Sequence, residues 1–286
     1  MKKPFWAIVI LGLIICCRTS YSQDWPLIFH PASNSWVELE DLYDAMGESQ
    51  VVFVGEQHNH TAGHQLELAF LERFWDLHGD VAVGLEMFER DVQHLVAGYL
   101  DGEISEKFFL SHSRPWKNYL RDYRPLIEFA RSMGSPVLAL NVPRRYAAHV
   151  VKGKEKILGD LPDAEKKYLA LPIVASQGRY RDKFYATMAD GHAKPEMWEF
   201  YYRAQCLKDD TMALSLIEFL QENPDYHVIC YAGAFHSDER LGMVAKTLAK
   251  MPALTTLVIT IIAVENWPVA PEKYKDLADY IIFAPK

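Results

Sequence analysis

Fourteen residues, VVFVGEQHNHTAGH (51–64), set Glu56, His58, His60 and His64 where an apolar run ends. A carboxylate and imidazoles at this density can hold a divalent ion or pass protons as a general acid and base. The association recurs along the chain. VAVGLE (81–86) closes on Glu86 and PVLALN (136–141) on Asn141. HVICYAG (227–233) runs through Ala234 and Phe235 to His236, and TTLVITIIAV (255–264) is followed by Glu265 and Asn266. Strand ends are loops and loops are polar, so each residue alone has an ordinary explanation. Glu56 could cap the following helix, Glu86 could pair with Arg90 four residues on, and His60 reads as a solvated turn residue. Jointly, Glu56, His58, Glu86 and His236 form a candidate catalytic set or metal-binding set, with His64 as a further metal-ligand candidate. Two imidazoles and two carboxylates suit zinc, manganese or iron, and would equally serve a metal-dependent hydrolase. Spacing does not choose between these, and no HExxH, GxSxG, CxxC, Walker or GxGxxG motif is present.

The runs that carry these residues are near-continuous rather than alternating, which suits strands buried on both faces of a parallel sheet. YIIF (280–283) supplies a sixth. In open sheets of this kind ligands bind beyond the carboxyl ends of the strands, so parallel strands would gather the polar groups on one rim. Helical patterns lie between. TAGHQLELAFLERFWDL spaces Leu68, Leu71 and Trp75 along one face, with Thr61 as its cap and Gly79 as its stop. SDERLGMVAKTLAKM reads as another helix. Residues 87–135 hold helical patterns around 88–100 and 117–133. Residues 142–226 hold several more, including 180–188 and 196–220, too many to fit on the sheet. The expected fold is α/β: a mostly parallel sheet flanked by helices (23–141 and 227–286), with a smaller all-helical inserted cap domain (142–226).

The chain has 286 residues, 50% hydrophobic and 24% charged, an ordinary globular composition. A formal charge of −8 with no concentrated Lys/Arg stretch argues against a nucleic-acid partner or an anionic membrane surface. The start differs. Met1-Lys2-Lys3 precedes PFWAIVILGLIICC, too short to span a bilayer comfortably, and then RTSYSQ, which together read as a signal peptide (1–22) cleaved after Ser22. A second route makes Cys16 or Cys17 the lipid-bearing first residue of a lipoprotein. Either way the product is exported, touching membrane only through such an anchor. Of the remaining cysteines, Cys230 reads as a buried free thiol, with a Cys206–Cys230 disulfide as the alternative.

The segments VVFVGEQHNHTAGHQLELAFLERF, GLEMFERDVQ, RPLIEFARSMGSPVLALNVPRR, AQCLKDDTMA and AGAFHSDERLG, in this order, resemble the ChaN family of exported haem-binding proteins. That family stands in a wider group with the Tiki and TraB proteins and, more distantly, the erythromycin esterases. The resemblance runs from about Val51 to Met243. It implies an α/β core with a smaller helical domain, a periplasmic or outer-membrane lipoprotein, and a role in haem or iron uptake. It further implies haem bound non-covalently between two subunits, a homodimer when loaded, with ferric iron held by a tyrosine. The expected cap contains Tyr168, Tyr180, Tyr185, Tyr201 and Tyr202. Tyr202 and Tyr201, just before the matching AQCLKDDTMA, are the candidate iron ligands. Each taken singly is also an ordinary helix residue with a buried ring and wet hydroxyl. The wider group implies metal-binding or catalytic roles for Glu56, His58, Glu86 and His236. One departure is local: the family often follows the last histidine with a glycine-proline turn, and this chain reads SDERLGM.

Overall fold

The structure, a computed structural model, describes residues 26–191 and 194–286; the expected signal segment 1–22, with Cys16 and Cys17, lies outside them. The described residues open with a hairpin, β1 (Leu27–His30) and β2 (Ser35–Val37), then α1 (Leu39–Gly47). Strand β3 (Val51–Glu56) leads into α2 (Thr61–His78), and β4 (Val81–Glu89) into α3 (Gln93–Leu100) and α4 (Glu106–His112). Next come α5 (Tyr119–Asp122), α6 (Arg124–Met133) and β5 (Val137–Asn141). The helical stretch holds α7 (Arg144–Val151), α8 (Lys156–Gly159), α9 (Asp163–Lys166), α10 (Arg179–Asp190) and α11 (Trp198–Glu222). Strand β6 (His227–Gly233), α12 (Gly242–Lys250), β7 (Thr256–Val264) and β8 (Tyr280–Pro285) complete the chain.

The strands form one eight-stranded sheet in the order β2-β1-β8-β7-β3-β6-β4-β5. From β8 to β5 every pairing is parallel, as the apolar runs predict. The hairpin β1–β2 adds an antiparallel edge on β8. Its strands, LIFH and SWV, are too short to carry a periodic signal, and the sequence reading contains neither.

Both faces are covered, which is why the strand sequences do not alternate. Val52, Val54, Val83, Leu85, Ile229 and Tyr231 face the core under α2 and α6. Val51, Phe53, Ala82, Val228, Cys230 and Ala232 face the core under α11 and α12. Neighbours in one strand therefore serve opposite cores. Residues 142–226 enclose a third core of Val142, Tyr146, Leu158, Tyr180, Tyr202 and Leu207. Helix α11 belongs to both regions: Tyr202 and Leu207 pack in the helical core, while Met212, Leu216 and Leu220 pack on the sheet. Cys206 and Cys230 are buried and free, so the disulfide alternative is not formed. Among the described residues no helix is long and apolar enough to cross a membrane.

Helix ends depart locally from expectation. The cap of α2 is His60 rather than Thr61, whereas Gly79 does end it, at φ 76°. Helix α12 begins only at Gly242, because residues 238–240 form a separate tight turn.

Candidate functional site

Strand parity decides which way each candidate points. Glu56 continues the series of Val52 and Val54 and turns toward α2 and α6. Glu86 continues the series of Ala82 and turns toward α11. The five candidates thus form two neighbouring groups at one rim of the sheet, joined by His58.

The first group centres on His236, just beyond β6. Its Nε2 lies 3.3 Å from Glu86 Oε1 and its Nδ1 2.6 Å from Asp209 Oδ1. Glu86 also accepts the Gly233 backbone N–H through Oε2 at 2.8 Å, tying the ends of β4 and β6 together. Asp209 accepts the Tyr180 hydroxyl through its other oxygen at 2.6 Å. Burial alone would lower the His236 pKa, but Glu86 and Asp209 outweigh it and raise the pKa to about 9. Burial alone would raise the Glu86 pKa, yet the His236 charge beside it holds this carboxyl well below the usual range. The state at neutral pH is an imidazolium clasped by two carboxylates. The alternative partners are not used: Arg90 pairs with Glu218 at 2.5 Å, leaving Glu86 to His236 and Gly233.

The second group centres on Glu56. Oε1 meets His58 Nδ1 at 2.5 Å and accepts the Tyr123 hydroxyl at 2.6 Å, so Glu56 orients side chains instead of capping α2. Burial and the nearby Glu67 raise the Glu56 pKa to about 7. Behind it, His64 sits in the first turn of α2, its Nδ1 2.9 Å from Glu67 Oε2. Glu67 is fully enclosed, and burial raises its pKa to about 8.

His58 links the groups. Its side chain is 42% exposed, and the Trp116 ring stands edge-on to it at 4.8 Å. The imidazole lies over Gly233, where an added Cβ would fall 2.8 Å from its Cε1, so only glycine admits this approach. An imidazole with Nδ1 held by a buried carboxylate presents Nε2 outward, as a general base or a metal ligand does. It opens into a cavity of about 410 Å³ whose lining includes Glu86, Lys208, Phe184, Met188 and His236.

Other strand-end residues lie apart. Asn141 lines a neighbouring cleft with Glu86 and Lys208. Glu265 is exposed and paired with Lys286 at 2.5 Å. His60 is a correction: it is no solvated turn residue but is buried, its Nε2 2.7 Å from the Pro285 carbonyl oxygen, because β8 runs past the start of α2. The turn replacing the expected glycine-proline pair puts Glu239 and Arg240 at φ 62° and 56°. Glu239 is held there by Arg179 at 2.5 Å and Lys183 at 3.0 Å, and Arg240 by Asp279 at 2.6 Å. Three site residues were absent from the sequence candidates. Asp209 sat inside a segment used only for resemblance, though a double aspartate in an apolar helix was a signal. Glu67, three residues after His64, was another; nothing in the sequence signalled Tyr123.

The two candidate iron ligands differ in access. Tyr202 is fully buried and its hydroxyl donates to the Ser176 carbonyl, whereas Tyr201 is half-buried. Phe200, the residue before Tyr201, lines a groove of about 1180 Å³ with Ile157, Leu171, Ile173, Lys154 and Lys156.

A family model described as "Haem-binding uptake, Tiki superfamily, ChaN" matches residues 42–246. No curated protein matches the sequence. Among solved structures, ChaN of Campylobacter jejuni, described with cofacial haem binding, matches at a TM-score of 0.66 and 15% identity, covering 90% of this chain and 96% of that one. The type III effector HopBA1 matches at a TM-score of 0.50 and 11% identity, covering 90% and 94%. At these identities the likeness to both structures is one of fold.

Proposed function

This chain belongs to the haem-binding uptake family ChaN of the Tiki superfamily, and on that premise we propose that it is an exported haem-binding protein acting in haem or iron acquisition. The observation that carries the proposal is the family match across residues 42–246. The basic, apolar start of the sequence supports export to the periplasm or outer membrane, by signal cleavage after Ser22 or by lipidation at Cys16 or Cys17. In this proposal Tyr201 holds the ferric iron, since a phenolate is a suitable ligand and this residue, unlike Tyr202, is only partly buried. Tyr202 serves to fix α11 against the Ser176 backbone. The groove lined by Phe200, the residue before Tyr201, has aliphatic walls and lysines in its lining, a composition that suits a flat apolar macrocycle bearing two carboxylates. The cofacial arrangement described for the Campylobacter protein supports a homodimer closing over two haems.

The test is titration of purified protein with hemin, following the Soret band and, in parallel, the sedimentation coefficient. Saturable stoichiometric binding with a shift from monomer to dimer is the expected result; a purely linear rise in absorbance would remove the proposal. The metal-dependent hydrolase alternative has no such support, because the matching family is described by haem uptake.

A further inference from the structure

Beneath the rim, the His64 imidazole stands among three carboxylates. Its Nε2 lies 3.1 Å from the His58 carbonyl oxygen and 3.6 Å from Asp122 Oδ2. Both are acceptors, and the Asn118 amide donates to each of them at 2.8 Å, fixing their positions. The ring proton therefore belongs on Nε2. Nδ1 is then left with its lone pair facing Glu67 Oε2 at 2.9 Å and Glu56 Oε2 at 3.8 Å. A lone pair cannot rest against carboxylate oxygens unless a carboxyl proton or a metal cation stands between them.

The surroundings sharpen this requirement. Glu56, His64 and Glu67 are exposed by 3%, 5% and 0%. Glu56 Oε2 and Glu67 Oε1 are shut off from solvent with no hydrogen-bond partner. Arg121 reaches Asp122 at 2.6 Å, and the His58 ring bonds to the other oxygen of Glu56, but neither reaches Glu67. Buried carboxylates left without counter-charge are costly, so something neutralises them. One donor atom from each of Glu56, His64 and Glu67 lies within 4.8 Å of the others. Ligands of a four-coordinate ion at about 2.1 Å stand roughly 3.4 Å apart, so small side-chain movements would close these three on one ion.

The geometry points to a divalent-cation site of zinc-like chemistry held by Glu56, His64 and Glu67, with Asp122 as the carboxylate behind the ligating imidazole. One nitrogen and two carboxylate oxygens form a familiar donor set for such an ion, and a carboxylate on the far ring nitrogen is the usual way of fixing the tautomer. The site shares Glu56 and His64 with the candidates read from the sequence, adds Glu67, and leaves out the other three. Glu86 and His236 lie on the opposite face of the sheet, already clasped to each other, and His58 turns Nδ1 toward Glu56. The ion's role is structural: it joins the end of β3 to the first turn of α2 and, through Asp122, to α5. It does not depend on the haem proposal.

Haem-free protein, stripped with EDTA and dialysed, is titrated with Zn(II) and separately with Co(II). One equivalent is expected to bind, giving the strong visible absorption of four-coordinate cobalt. Glu67→Gln and His64→Gln weaken binding by at least about tenfold, and Asp122→Asn by roughly 10–100-fold. His236→Ala and Glu86→Gln leave it unchanged. Circular dichroism checks that each variant is folded, and X-ray absorption of the zinc-loaded native protein, expected to show a single imidazole among oxygen donors, needs no variant. Absence of stoichiometric binding overturns the inference and assigns the neutralising charge to protons. A site with two imidazoles, or one lost in His236→Ala and kept in Glu67→Gln, also overturns it by placing the ion at the rim. Hemin titration of the same variants separates failure of this site from failure of haem binding.

Discussion

Glu86, three residues before the end of β4, and His236, in the turn after β6, face each other at 3.3 Å. The contact adds a side-chain tie to two strands already paired along their length, and Asp209 of α11 closes it from the far side at 2.6 Å. The sheet rim is thus cross-tied to the long helix by charge.

The tie has a pH signature. Because the folded-state pKa of His236 is raised from 6.5 to about 9, its stabilising contribution is fully present below about pH 6.5 and lost as pH rises through about 9. The native protein should lose about 3 kcal/mol of stability across that window from this group. In His236→Gln the corresponding slope should be absent. Urea titrations at a series of pH values measure both, and identical slopes would show that no imidazolium is clasped there.

Tyr123 donates to Glu56 at 2.6 Å from within the core. Tyr123→Phe should cost about 1–3 kcal/mol, the loss expected for a buried hydrogen bond to an ionisable group. It should also loosen His58, which shares the same carboxylate oxygen. Denaturation gives the first quantity and the linewidths of the His58 ring resonances the second; a neutral substitution would mean that Glu56 is positioned by other contacts.

Gly233→Ala would drive a methyl to 2.8 Å from His58 Cε1. The imidazole must swing away or the strand end must shift, at a cost of about 1–3 kcal/mol, typical of overpacking. A crystal structure of the variant should show the ring displaced from Gly233. An unmoved ring with native stability would contradict the close approach.

The two adjacent tyrosines should behave differently. Tyr201→Phe is expected to weaken haem binding by at least about tenfold and to abolish the phenolate-to-iron charge-transfer absorption. Tyr202→Phe should retain both, but lose about 1 kcal/mol of stability as the Ser176 carbonyl loses its donor. If Tyr202→Phe alone removes the charge-transfer band, the roles are exchanged.

The parallel strands were readable because burial on both faces leaves an unbroken apolar run, and the polar residues at their ends marked the rim. What could not be read was the face. Whether Glu56 and Glu86 share a pocket depends on pleat parity and register across strands that are not neighbours in sequence, since β6 stands between β3 and β4. The partners that define the two groups come from helices, Asp209 and Glu67, and from the turn between α5 and α6, Tyr123, and only folding brings them to the strand ends. His60 was misjudged for a similar reason. Its environment is created by β8, the last strand of the chain, whose arrival no local pattern announces.

Helix α11 is one uninterrupted rod of 25 residues. It carries Tyr201 near its start and Asp209 two turns later, roughly 12 Å along its axis. The tyrosine end packs in the helical core and the other half on the sheet, so one backbone belongs to both. The clasp that fastens β4 to β6 is therefore built on the same rod as the tyrosine pair.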